Sequence, residues 1–134
     1  MTAVEESIAP FQLGKVRAQL VRRGKSNQQL VKAGRLGLSV QVVAADSGET
    51  NLHSHPGMDS AWMVLDGRAK FYTVGDQVLG EIGKNECISI PGGAPYWFEA
   101  MGDQPCVILH ITDRDPSLKG ESRIDYTPRT VGGV

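Results

Sequence analysis

No run of apolar residues in this 134-residue chain is long enough to cross a bilayer, which takes about 20. The opening residues, Met1 to Ser7, include Glu5 and Glu6 and lack the basic and apolar layout of a secretory leader, so a cytoplasmic protein is expected. Cysteine is scarce. Cys87 and Cys106 stand far apart with no CxxC spacing, which argues against a disulfide framework or a thiolate metal site and for two free, buried thiols. The net charge of −1 gives no overall attraction to nucleic acid. Lys15, Arg17, Arg22, Arg23, Lys25, Lys32 and Arg35 do form a basic stretch with no acid among them. It lacks interleaved aromatics and a helix-turn-helix pattern, so it reads as a solvated or subunit-contacting edge. Membrane and nucleic-acid partners are therefore not expected.

A convincing long amphipathic helix is also missing. What is present is a series of short segments bounded by turn residues. Val16–Val21, Leu36–Ala45, Asn51–His55, Ala61–Leu65, Ala69–Val74, Val78–Ile82, Cys87–Ile90, Tyr96–Ala100 and Val107–Thr112 each read as a strand. Asp66-Gly67 between two of them is a hairpin signal, and Gly75-Asp76 marks a further turn. Many short strands at regular spacing predict an all-β sandwich or barrel. The length suits one domain, with its barrel core over about 36–112, N-terminal strands in 1–35 and a polar, partly disordered C-terminal arm over 113–134.

Two of the three histidines lie one residue apart, in His53-Ser-His55. Alternate side chains of a strand share a face, so this spacing sets two imidazoles side by side. Imidazole is a common ligand for transition metals, but two ligands alone do not make a site, and a pair of surface histidines satisfies the same spacing. The aromatics cluster in Tyr96-Trp97-Phe98, where Tyr96 and Phe98 share one face and Trp97 takes the other. Trp62 and Phe98 are candidate walls of an apolar pocket, against the alternative of ordinary barrel packing. His110 interrupts an apolar strand and shares a face with Cys106 and Ile108. It is either a core histidine or a pocket residue. Gln41 either offers its amide to a ligand or faces water.

The segment Gly48…His53-Ser-His55-Pro-Gly-Met-Asp59…Gly67, followed by Gly83…Pro91-Gly-Gly93-Ala-Pro-Tyr96, resembles the two ordered motifs of the cupin superfamily. The resemblance spans roughly residues 36–112 and implies a double-stranded β-helix, the jelly-roll barrel. It also implies a divalent metal ion (iron, manganese, nickel or zinc) held by His53, His55 and Asp59. Counting back from Gly67 selects Ser60 instead of Asp59, and a shift of one residue in a strand reverses the face. Tyr96 stands where metal-binding cupins carry a third histidine.

Three functions follow from the resemblance. One is a metal-dependent dioxygenase, isomerase or lyase acting on a small organic molecule, with Tyr96 or His110 moving a proton. Another is a metal-free enzyme using histidine and tyrosine as base and acid, and the last is a ligand-binding barrel without catalysis. A homodimer is expected, because a short sandwich has strand edges that need cover.

Overall fold

The computed structural model describes residues 10, 25–45, 47–117 and 123–127. Ten strands run in chain order: β1 Lys25–Ala33, β2 Leu36–Val43, β3 Gly48–Ser54, β4 Met58–Asp66, β5 Arg68–Tyr72, β6 Val78–Gly83, β7 Cys87–Ile90, β8 Tyr96–Ala100, β9 Cys106–Arg114 and β10 Ile124–Asp125. A short 3-10 turn, Val74–Asp76, is the one helical element among the described residues. The strands form two five-stranded antiparallel sheets, ordered β1-β2-β9-β4-β7 and β10-β3-β8-β5-β6. After β2 the chain passes repeatedly between the sheets, which gives the double-stranded β-helix. No helix among the described residues is long and apolar enough to cross a membrane.

Period-two patterning explains why the sheets face each other. In β8, Tyr96, Phe98 and Ala100 are buried while Trp97 and Glu99 between them are only partly so. In β4 the buried set is Ser60, Trp62 and Val64, and in β5 it is Ala69 and Phe71. These rows meet between the sheets with Val43, Ile82, Ile90, Cys106 and Ile108. The Trp62 ring centroid lies 5.0 Å from Phe98 and 6.2 Å from Phe71, and Phe71 lies 4.9 Å from Phe98. All three distances fall in the range of favourable aromatic pairs. Trp97, facing outward, stacks on Tyr72 at 3.9 Å.

Two glycines are required by the crossing of the chain. A Cβ at Gly48 would collide with the Phe98 carbonyl, so only glycine lets β3 come so close to β8. Gly67 has φ +80, in the left-handed region, where it turns the chain out of β4. That turn is not the expected hairpin. β4 pairs with β7 and β9, whereas β5 pairs with β6 and β8 in the opposite sheet. Asp66-Gly67 supplies a tight turn, but the buried faces on either side of it belong to different layers. The hairpin forms one turn later, where Gly75 and Asp76, both at positive φ, link β5 to β6.

Other expectations are revised at the ends. β1 is a full strand paired along β2, over a lysine- and glutamine-containing segment with no apolar alternation. The expected strand Val16–Val21 lies outside the described residues, as does the basic stretch up to Gly24. The C-terminal arm contributes β10, which pairs with β3 at Ile124↔Ser54 and Asp125↔His53. Cys106 is buried as expected, but Cys87 is exposed on β7.

The thiols therefore separate chemically. Burial, with a smaller effect from the Asp66 charge, pushes the Cys106 thiol up to about 12. At mildly alkaline pH the folded protein should release one equivalent of thiol to Ellman's reagent. The second should appear only in urea. Two equivalents reacting at equal rates in the folded state would contradict this packing.

Candidate functional site

The site begins at an irregularity in β3. Glu49 pairs with Phe98 and His53 pairs with Tyr96, so four positions of β3 answer to two of β8. Extra residues in one strand bend it and re-aim its side chains, as bulges do. The bulge brings His53 opposite Tyr96, with both side chains buried, at 1% exposure each. Their ring centroids are 4.5 Å apart. His55, partly exposed just beyond β3, lies 5.0 Å from His53 and 6.3 Å from Tyr96. The three rings thus form one cluster.

Each histidine is held through its local backbone. The His53 Nδ1 lies 2.8 Å from the carbonyl of Asn51, inside the bulge. A carbonyl can only accept, so Nδ1 carries the hydrogen and the neutral ring has its lone pair at Nε2. The His55 carbonyl accepts from the backbone N–H of both Met58 and Gly93, each at 3.2 Å. The turn Pro91–Gly93, part of the second sequence motif, thereby fixes the end of the first.

Behind the bulge, the C-terminal arm builds a polar clasp. Asn51, 3% exposed, donates from Nδ2 to Asp125 Oδ1 and accepts at Oδ1 from Arg123 Nη2 at 3.1 Å. Arg123 Nε also bonds Asp125 Oδ1 at 2.9 Å, with the arginine side chain only 7% exposed. The Tyr126 hydroxyl meets Ser54 Oγ at 2.9 Å. The chain from Arg123 through Asn51 to His53 was not read from the sequence, because it joins residues some seventy positions apart. Its only local signal is an asparagine two residues before His53.

Asp59 and Ser60 take opposite faces. Ser60 is buried on the inner face of β4, in register with Ile90, and Asp59 is exposed. The Asp59 carboxylate accepts the Gly92 N–H at 2.7 Å, so it fastens the Pro91–Gly93 turn to the start of β4. Among the described residues, no three of His, Cys, Asp and Glu come together as a metal site. The expected set of His53, His55 and Asp59 is thus not brought together. Two imidazoles and a neutral phenol are a weak donor set, since a phenol ligates well only when ionised, with an ordinary pKa near 10.

The remaining candidates lie deeper. Tyr96 is 6.4 Å from Trp62, which in turn stacks flat on His110 at 3.6 Å and 6°. Phe98 is packed between the sheets with Trp62. Gln41 is buried on the inner face of β2, opposite Ile108. The rings therefore run continuously from His55 through Tyr96 and Trp62 to His110.

The sequence profile of the Cupin domain matches residues 39–112. No curated protein matches the chain. Among solved structures, an uncharacterised conserved protein with a double-stranded β-helix domain from Klebsiella pneumoniae superposes with a TM-score of 0.70 at 11% identity, covering 87% of this chain and 98% of that one. KdgF from Halomonas gives 0.66 at 15% identity, covering 82% and 97%. The cupin domain of Cnp3 from Schizosaccharomyces pombe gives 0.67 at 15% identity, covering 81% and 76%. At such identities the likeness is one of fold.

The Asn51 carbonyl makes the ring of His53 testable. Long-range proton–nitrogen spectra of the neutral imidazole should show the Nδ1–H tautomer for His53. The Nε2–H tautomer, commoner in solvated histidine, would mean that the bulge does not hold the ring as described.

Proposed function

The chain belongs to the cupin family, and from that premise we propose that it is an isomerase- or lyase-type enzyme for a small organic molecule, with His53, His55 and Tyr96 as its reacting cluster. The observation that carries this reading is the 4.5 Å approach of the His53 and Tyr96 rings, both withdrawn from solvent. Because Nδ1 of His53 is committed to Asn51, Nε2 is the atom able to take a proton from substrate. The Tyr96 hydroxyl supplies a proton to another atom of the same substrate. One proton leaves and one arrives, so the molecule is rearranged, or loses a leaving group, without net redox change. His55, the most accessible of the three, orients the substrate at the mouth. Trp62 and Phe98 give the apolar wall, and His110 is assigned to binding because its face is covered by Trp62.

A second reading is favoured by the same Nδ1 contact. Histidines that hold metals usually donate their other N–H to a carbonyl or carboxylate. His53 and His55 would then be two ligands of a divalent iron, manganese, nickel or zinc ion, with ionised Tyr96 as the third. Such an ion would supply Lewis acidity or, as iron, oxygen chemistry. Asp59 is left out of that set, because it is exposed on the face of β4 opposite the buried Ser60.

We also propose a homodimer. On the outer face of the first sheet, Leu38, Ala61 and Ile111 align in register across β2, β9 and β4, with Leu36 49% exposed beside them. A second copy of the chain would cover this apolar row.

Three measurements test these proposals. Tyr96→Phe should lower turnover by about 10²–10⁴, the usual loss for a general acid, on any substrate that the native protein converts. Undiminished turnover would sink the acid–base reading. Elemental analysis of protein purified without chelator or a histidine tag should find metal well below one ion per chain. A stoichiometric ion, lost in His53→Ala and His55→Ala, would instead establish the second reading. Light scattering should give twice the chain mass, and Ile111→Asp should halve it. A native monomer at high concentration would refute the dimer.

A further inference from the structure

A concavity opens on the inner face of β1, β2 and β9, away from the bulge. It has a volume of about 220 Å³ and is lined by Asn27, Gln29, Ser39, His110 and Thr112. The register shows why these side chains converge. Gln29 pairs with Ser39, Ser39 with His110, and His110 with Trp62, so one rung crosses the sheet. The neighbouring rung runs Asn27, Gln41, Ile108. Directly opposed residues of antiparallel strands share a face. Gln41 therefore stands next to Asn27 and on the same face as Ser39, and Trp62 stacks on His110, so both adjoin residues that line the cavity.

Two buried polar atoms on residues that neighbour this lining have no hydrogen-bond partner among the described residues: Oε1 of Gln41, whose residue is 6% exposed, and Nε1 of Trp62, at 2%. One is an acceptor and the other a donor, and buried groups of either kind are normally satisfied. Gly37 keeps the space open. A Cβ there would collide with Thr112 Oγ1, the hydroxyl at the rim of the cavity.

Besides Gly37 and Leu38, amides, hydroxyls and one imidazole line the space, and none of the described lining residues is an acid, a lysine or an arginine. Each amide and hydroxyl offers both donor and acceptor capacity. A ligand that matches has many groups of the same dual kind and no full charge, since an ion here would lack a counter-charge. Drug-sized molecules occupy about 300–1,000 Å³, so this ligand is smaller.

We propose that this cavity binds a neutral polyhydroxylated molecule of the size of a pentose or cyclitol, with Gln41 and Trp62 as its deepest contacts. The inference deepens the enzymatic reading by naming a substrate class, and only its link to catalysis rests on that reading.

The test uses the full chain carrying Trp97→Phe, which leaves Trp62 as the sole tryptophan and alters only an outward ring stacked on Tyr72. D-xylose and myo-inositol are titrated against Trp62 emission and against the side-chain amide resonances of Asn27, Gln29 and Gln41. Saturable changes are expected for at least one of them, with no saturation by sodium D-glucuronate. Gln41→Leu and Gly37→Ala should each weaken binding about tenfold or more, the effect of a lost buried hydrogen bond or a filled cavity. Thermal melts confirm that each variant is folded. Binding is read without turnover, so failure of the acid–base reading and loss of binding at Gln41 report separately. Absence of saturation with both polyols, preference for glucuronate, or unchanged affinity in folded Gln41→Leu would overturn the proposal.

Discussion

The indole of Trp62 is the contact on which the rest of the molecule depends. It stands on β4, between β9 and the edge strand β7, and reaches across to Phe71 and Phe98 of the opposite sheet, to Tyr96 in the histidine cluster and to His110 on its own sheet. Two sheets that pack face to face need side chains large enough to span the gap of about 10 Å between them. With so few aromatics in the chain, that task falls on one cluster. The same ring that joins the layers therefore also borders the His53–Tyr96 cluster, and core packing and the geometry of that cluster cannot vary independently.

Around that fixed centre, the site is assembled by irregularity. A regular β3 would carry its histidines past β8 in step. The bulge instead sets His53 opposite Tyr96, and the carbonyl it frees at Asn51 holds the imidazole. Asp59 illustrates the reverse case. A carboxylate close to a histidine pair in sequence is occupied in fastening a turn, and through that turn it supports the His55 carbonyl. It makes this contact from the exposed face of the strand.

Much of this was legible in the chain. Alternation placed Tyr96 and Phe98 inward with Trp97 outward, and put Cys106, Ile108 and His110 on one face, because period two is a local property. The two motifs located the histidines and Tyr96 and gave the barrel. What failed needed non-local information. Asp66-Gly67 signals a turn, but which sheet receives the next strand depends on partners forty residues onward. The choice between Asp59 and Ser60 turned on strand parity, which only the pairing of Ser60 with Ile90 decides. Cys87 alternates outward with Ser89 while Ile88 and Ile90 turn inward, on the edge strand β7. β1 and β10 are too polar or too short to stand out, and both owe their strand form to the partner they lie against.

The place of β10 also bears on how the protein is made. It covers β3, whose other side is taken by β8, and it leaves the ribosome after every other described strand. Until then the histidine-bearing strand presents an open edge, able to pair with any extended chain nearby. Folding during synthesis proceeds from the N-terminal end. The sandwich can thus close its core before its most exposed edge is capped. The interval between those two events is when nascent chains in a crowded polysome are most exposed to one another.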